Sequence, residues 1–462
     1  MAQRTPSDAV PVMGADGGTP ERDEPLPDGD PTSVQRRSPF AGSSQVGVRG
    51  RRAQQSILDA SLQVFAEMGY HRCGVSRITK VAGCSRAAFY QYFSSKEDVF
   101  RHLAGQVARQ LTASAESLDK ITPDQAGWDT LRAWVDRHAL IYERYEPVFR
   151  VYQAAADSDD AVAAGSSQTG ARDVAIAQAK LTATTLPGRH VSDVIALLLN
   201  VMSWAPRMVQ ILQSAVPASS LPKSRIATAL TDVAHRTMFG VDQGVNVRPP
   251  PKRRLGRVPG GAALLERLQI DSAPKEFTTT GVRTVELLIE TARDVLVRQG
   301  YHGTKVDDIT AAAGVSHGAF YRYFENKDHI VRLVTVRALQ QLNEAFVDVP
   351  DVVENPRSRS AAVQGWLRRY NATQASEAAM LRVWADATAD DPLLALESAA
   401  ALDWGRQRLV QFLEPRGFGD VEADALLMIP LLDAVGGMHR VPADVDAAAL
   451  IFERGLLGLP SQ

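Results

Sequence analysis

The chain has 462 residues, 45% hydrophobic and 23% charged, which is enough apolar mass for more than one core. Its 51 Lys and Arg face 53 Asp and Glu, and the formal net charge of -2 excludes a uniformly basic nucleic-acid coat while leaving room for local basic patches. Two cysteines, Cys73 and Cys84, cannot build a disulfide framework and suit a reducing cytoplasm.

The chain opens without a basic-then-apolar leader, and residues 1–46 are rich in Pro, Gly, Asp and Ser. A segment so poor in large apolar side chains cannot offset its ordering entropy, so a disordered tail is expected over 1–46. Apolar residues then recur three and four apart, the period of amphipathic helices, through two long stretches. Between them, residues 243–277 include VNVRPPPKRRLGRVPGG and read as a linker, whose Lys252, Arg253, Arg254 and Arg257 serve solubility more readily than a DNA groove. The most apolar run, Val194 to Trp204, falls far short of the ~20 residues of a bilayer span, and no membrane partner is expected.

Self-comparison reveals a tandem repeat. GYHRCGVSRITKVAGCSRAAFYQYFSSKED, from Gly69, aligns without a gap with GYHGTKVDDITAAAGVSHGAFYRYFENKDH, from Gly300. Further on, WVDRHALIYERYEPVFRVYQAAADSDD parallels WLRRYNATQASEAAMLRVWADATADDP, pairing Trp134 with Trp366, Arg150 with Arg382 and Tyr152 with Trp384. In each copy the first helix is amphipathic, through Leu58, Leu62 and Phe65 or Val285, Leu288 and Ala292. Gly69 and Gly300 are expected to end it in the left-handed C′ conformation. The second helix should start at a capping box, Thr304-Lys-Val-Asp307, in the second copy, and more weakly at Cys73 and Ser76 in the first. Gly83 and Gly314 make a sharp turn, and Ser85 and Ser316 cap a third short helix. Ser94 with Glu97, and Asn326, are expected to start a longer fourth. Two helices joined by a tight glycine turn, the second opening on small and polar residues, make a helix-turn-helix.

The pattern I-T-x-x-A-G-x-S-x-x-A-F-Y-x-Y-F-x-x-K runs from Ile78 to Lys96 and again from Ile309 to Lys327. It resembles the DNA-binding domain of the TetR family of bacterial transcriptional repressors. The family normally carries one such unit per chain, so the tandem form resembles a smaller set of double-headed actinobacterial members. The resemblance implies an all-α fold of two units, each a three-helix DNA-binding domain (47–110 and 278–341) followed by a helical ligand-binding and dimerisation domain (111–242 and 342–462). It implies a cytoplasmic, nucleoid-associated regulator, most readily a repressor, with no enzymatic activity and no cofactor or metal. Its partners would be a double-stranded DNA operator and a small-molecule effector, hydrophobic or lipid-like by analogy with the double-headed members. The halves would pack as an intrachain pseudo-dimer, with a homodimer of tandem chains as the alternative.

Ser85, Arg86 and Ala87, and Ser316, His317 and Gly318, open the two recognition helices, where small residues permit close approach and Arg86 suits a bidentate guanine contact. Tyr90 and Tyr321 match the family tyrosine that touches the DNA backbone, and Lys96 and Lys327 are expected on phosphates. Tyr92 and Tyr323 fit either a phosphate or a packing role, whereas Phe89, Phe93, Phe320 and Phe324 should be core. Arg52, Ser76, Arg77 and Lys305 complete the DNA-contacting set. Residues 49–110 carry ten basic and four acidic side chains, net +6, and residues 280–341 carry eight and seven, net +1, so the first head should grip DNA harder. Trp134, Tyr142, Tyr152, Trp204, Trp366, Tyr370 and Trp384 are candidates for a ligand pocket, with core or interface packing as the competing reading.

Two other classes stay in view. Gly314-Val-Ser316-His-Gly318 has the spacing of a hydrolase elbow, which requires a strand before the serine where a helix is expected here. A helix-turn-helix scaffold with one degenerate head is the other alternative. Cys73 and Cys84 have no counterparts in the second copy and read as inert thiols.

Overall fold

The computed structural model describes residues 47–70, 72–158, 160–215, 221–241, 245, 279–347, 356–387, 392–414, 419–435 and 444–459. The expected tail, 1–46, and all of the expected linker except Val245 lie outside these residues. The first copy comprises α1 (Val48–Met68), α2 (Val75–Ala82), α3 (Arg86–Tyr92), α4 (Lys96–Glu116), α5 (Gln125–Ser158), α6 (Asp160–Lys180), α7 (Val191–Ala215) and α8 (Lys223–Phe239). The second comprises α9 (Thr279–Gly303), α10 (Val306–Ala313), α11 (His317–Tyr321), α12 (Lys327–Val347), α13 (Pro356–Ala387), α14 (Pro392–Leu413), α15 (Val421–Val435) and α16 (Val445–Leu450), which widens into a π-helical turn over Ile451–Leu456. Among the described residues there is no strand, only an isolated bridge between Ile121 and Leu181, so the fold is all-α.

The helix ends follow the expected plan with three shifts. Gly69 (φ 79°, ψ 157°) and Gly300 (φ 72°, ψ 171°) do bend the chain after the first helix. Their ψ values place them in the extended positive-φ region open essentially to glycine alone, not in the left-handed helical one. The left-handed conformation occurs instead at Gly83 and Gly314, both at φ 65° and ψ 29°. The capping box of α10 sits one residue later than expected: Asp308 Oδ2 accepts from the Lys305 backbone N–H at 2.8 Å, while the Thr304 hydroxyl donates to the Gly300 carbonyl. The first copy has no such box, and Gly74 precedes α2 without a side-chain cap. Helix α4 is capped by Ser95, which accepts from Asp98 N–H at 3.2 Å, and Ser94 instead donates to the Asp98 carboxylate. Ser85, Ser316 and Asn326 cap as expected, accepting from Ala88, Ala319 and His329.

Among the described residues, apolar burial divides into two head cores, one large shared core and a small cluster around Val336 and Ala401. The first head closes around Phe65, Ile78, Phe89, Phe93 and Phe100, and draws in Tyr145 and Val148 from α5. The second closes around Leu288, Ile309, Phe320 and Phe324, and draws in Met380 and Leu381 from α13. Each head is thus seated on a long helix of its own copy. Helix α5 leaves helical geometry at Tyr145 (φ -114°, ψ 20°), two residues before Pro147, whose missing N–H interrupts the helical bonding.

The shared core takes residues from both copies: Val194, Val201, Leu212, Leu230 and Val233 from α7 and α8, and Leu427, Leu431, Ala448 and Phe452 from the end of the chain. Polar contacts stitch the same seam. Arg225 pairs with Asp420 and with Glu422 (2.9 Å), Arg236 Nε donates to the Gly455 carbonyl (2.9 Å), and Arg454 donates to Thr185. Gly455 lies so close to α8 that a Cβ there would stand 2.3 Å from Thr237 Oγ1 and 2.9 Å from the Val233 carbonyl oxygen. Residues Gly188–Gln213, with a mean hydropathy of 1.4, are long and apolar enough to cross a membrane by length and composition. The sequence reading, confined to the run from Val194 to Trp204, understated that length. In the fold this segment supplies Val194, Val201, Ala205 and Leu212 to the shared core, which accounts for its apolar character.

Candidate DNA interface and regulatory cavity

The glycine turn sets α3 across the end of α2, and the caps fix which residues open the recognition helix. Phe89 and Phe93 are buried on one side of α3, and Ser85, Arg86, Ala87, Tyr90 and Gln91 are exposed on the other. The second copy repeats this with Phe320 and Phe324 buried and Ser316, His317, Gly318, Tyr321 and Arg322 exposed. Tyr90 and Tyr321 stand edge-on to the buried Phe89 and Phe320 rings, at 5.4 and 5.3 Å, so their hydroxyl ends are presented on rigid bases. Arg52, Ser76, Arg77 and Lys305 are also exposed. Tyr92 and Tyr323 are half-buried against the head cores, closer to their packing role.

The two lysines have protein partners that the sequence did not disclose. Lys96 Nζ donates to the Tyr70 carbonyl at 3.0 Å and sits 4.4 Å from the Tyr70 ring centre. Lys327 does the same to Tyr301, at 2.7 and 3.9 Å. Each clamp ties the start of the fourth helix to the chain leaving the first. The repeated Tyr-to-Lys spacing, identical in both copies, was the available signal.

The recognition surfaces differ in charge at matched positions. Ser76, Arg77, Lys80 and Arg86 of the first copy become Asp307, Asp308, Ala311 and His317 in the second. Arg77 makes only an exposed, 3.7 Å pairing with Glu67, worth little in water. In the second copy, Asp307 Oδ1 lies 3.0 Å from His317 Nε2, joining α10 to the first residue of α11, and the imidazole also meets the Tyr321 ring edge-on at 4.9 Å. Asp307 was not foreseen as a site residue.

Ser316 lacks the setting of a nucleophile: helix α10 precedes it, and its Oγ accepts from Ala319 N–H. Burial pushes the Cys73 thiol up to about 11 and raises Cys84 as well, which disfavours the reactive thiolate at both.

Four of the pocket candidates come together. Trp134, Tyr142, Tyr152 and Trp204 line a cavity of about 620 Å³ bounded by α4, α5, α6 and α7. His138 and Asn200, not foreseen, line it too. Burial lowers the His138 pKa to about 4, so the ring is neutral. Ser203 gives its hydroxyl proton to the Leu199 carbonyl (3.0 Å), leaving its oxygen to accept from His138 Nε2 at 3.3 Å. The second-copy candidates are placed otherwise. Trp366 is fully buried in the shared core between Tyr370 and Phe452, and Trp384 packs beside the second head.

Comparison with known proteins agrees with this geometry. The profile of the bacterial regulatory proteins of the tetR family matches twice, at residues 57–103 and 288–334. The chain thus carries two domains similar to the TetR-family DNA-binding domain, one in each copy of the repeat. It is 41% identical over 59 residues to the fatty acid metabolism regulator protein of Bacillus subtilis, covering 12% of this chain and 30% of that one. To the HTH-type transcriptional repressor AcnR of Corynebacterium glutamicum it is 28% identical over 116 residues, 23% of this chain and 60% of AcnR. To the HTH-type transcriptional repressor Rv1474c of Mycobacterium tuberculosis it is 32% identical over 92 residues, 18% and 49% of the two chains. The match therefore spans from under a third to about three-fifths of these relatives.

Proposed function

We propose that this chain is a TetR-family DNA-binding transcriptional repressor of the bacterial cytoplasm that reads an asymmetric operator. The observation that carries the reading is the pair of exposed recognition helices, RAAFYQY and HGAFY, held on two copies that share one core. A symmetric dimer presents two identical helices to a palindrome. Here Arg86 stands where the other copy has His317, and Gln91 where it has Arg322, so the two half-sites should differ.

Ser85, Arg86 and Ala87 read base edges in the first half-site, and Ser316, His317 and Gly318 in the second. Arg52, Arg77, Lys305, Tyr90 and Tyr321 position the protein on the phosphates. Lys96 and Lys327 belong with the phosphate contacts in this reading; Lys96 gives one donor to the Tyr70 carbonyl, and an ammonium has three. Loss of Lys96 should then lower the salt slope of binding by about one unit. The names of the relatives favour repression, and the cavity beside α4 favours control by a small molecule. The domain boundaries at 47–110, 111–242, 278–341 and 342–462 belong to the same reading.

Footprinting of the DNA flanking its own gene, at low salt and without effector, tests the assignment: one chain should protect two unlike half-sites. A specific complex of two chains on a perfect inverted repeat would overturn the asymmetric reading, and no specific footprint would overturn the repressor reading. A second reading has one observation behind it. The exposed Asp307 and the low net charge favour a second head that contributes weakly; scrambling its half-site would then leave affinity unchanged.

A further inference from the structure

The cavity of the first copy and its counterpart in the second can be compared residue by residue. On α5, Trp134, His138 and Tyr142 follow at helical spacing along one face, and the repeat sets them against Trp366, Tyr370 and Gln374 of α13. Aligning the starts of α7 and α15, Val191 with Val421, sets Asn200 against Pro430, Ser203 against Asp433 and Trp204 against Ala434.

In the first copy two polar atoms at this place are buried without a hydrogen-bond partner: the Tyr142 hydroxyl and Asn200 Oδ1. Tyr142 is only 3% exposed, and burial pushes its pKa up, so it stands as a protonated donor. A buried donor and a buried acceptor left unmatched each cost free energy, and a molecule offering both kinds of group removes that cost. In the second copy the matched place is packed shut, and its one orphan is an acceptor, Gln374 Oε1, on a side chain with no exposure. Gln374 donates to Asp433 at 2.8 Å, Pro430 has no polar side chain, and Trp366 is closed between Tyr370 and Phe452.

The rest of the lining argues against a charged ligand. His138 is neutral, Arg101 faces Asp98 at 3.9 Å, and Arg207 donates to the Arg150 carbonyl at 3.4 Å while lying over the Trp204 ring. The carboxyl of Asp173 also lines the cavity, where an anionic head would meet it.

We infer that the chain holds a single effector site, in its first copy only, and that the site takes an uncharged amphiphile whose hydroxyl or amide end meets Tyr142 and Asn200. This rests on the ligand-responsive reading above and deepens it. The wall formed by α4, from Arg101 to Leu111, belongs to the helix that begins at the Lys96 clamp, so occupancy bears on the first head.

The test is native mass spectrometry of the full chain with 1-decanol, alongside a tryptophan-fluorescence titration with 1-decanol and with decanoate. One decanol per chain, a change in emission from Trp134 and Trp204, and at least tenfold weaker binding of decanoate are expected. Tyr142→Phe should weaken decanol binding about tenfold and leave the melting midpoint unchanged or higher, because the hydroxyl it removes has no partner. Two molecules per chain, no uptake, a preference for decanoate, or a Tyr142→Phe chain that binds decanol unchanged would each overturn the inference. Neither readout involves DNA. A chain that binds decanol without altering its operator affinity would remove ligand response from the proposed function and leave this site standing.

Discussion

The two heads share a backbone plan and part company in charge. Both have a glycine turn at the same dihedral angles, a serine cap on the recognition helix and a lysine clamp on a tyrosine carbonyl. Yet the first shows Arg77, Lys80 and Arg86 where the second shows Asp308, Ala311 and His317. The scaffold residues have little freedom, because caps and clamps satisfy buried or strained backbone groups. The exposed residues carry no such duty and are free to diverge.

The largest test of that contrast is a pair of truncations. Arg86→Ala should cost about 1–3 kcal/mol of operator binding, a ten- to hundredfold loss, as expected for a bidentate base contact. His317→Ala should cost less than about threefold. Fluorescence anisotropy on the footprinted operator at one salt concentration compares them, and equal losses would break the asymmetry.

The shared scaffold makes the opposite forecast. Lys96→Met and Lys327→Met should each lower stability by about 1–2 kcal/mol, through loss of a charged hydrogen bond and a cation–aromatic contact, and by equal amounts. Denaturant unfolding checks this.

A reciprocal exchange sharpens the charge argument. Asp307→Ser removes a carboxylate from the second reading surface and should raise affinity on the order of threefold to tenfold at low salt. Ser76→Asp should lower it by a similar factor. Binding titrations at two salt concentrations would show whether the factors converge as screening increases.

The smallest effect lies away from the heads. Burial raises the Asp433 carboxyl to about 7, against the hydrogen bond from Gln374, and raises Asp424 to about 8 against the attraction of Arg236. The folded chain therefore holds protons that the unfolded chain releases near pH 4, so stability falls as pH rises from about 4 to about 7–8. Asp433→Asn keeps an acceptor for Gln374 and should flatten part of that slope, a shift of a few degrees in the melting midpoint between pH 5 and pH 8. Ser203→Ala, at the matched place in the first copy, should leave the slope alone.

Much of this was legible in the sequence because it depended on local rules applied twice. The repeat, the helix-turn-helix, the caps at Ser85, Ser316 and Asn326 and the burial of Phe89, Phe93, Phe320 and Phe324 all follow from residue type and spacing. What escaped was geometry that one residue decides. Asp98 takes hydrogen bonds from Ser94 while its own N–H seeks Ser95, so the cap lay one place beyond the expected serine. Long-range partners escaped as well: nothing local to Asp307 announces His317, and nothing local to Asn200 announces a cavity. Trp134 and Trp366 occupy the same place in the repeat, yet one borders a cavity and the other closes a core, because Phe452 arrives from the far end of the chain only in the second case.

The seam at α7, α8 and the chain's last helices has a consequence for the cell's inventory. A repressor assembled from separate subunits loses its active form as copies become scarce, since pairing depends on the square of their number. Here each half finds its partner on the same polypeptide, at a local concentration that dilution does not touch. On the proposal that one chain reads the operator alone, a cell holding a handful of these chains would keep every one assembled, and occupancy of the operator would rise in simple proportion to the number made.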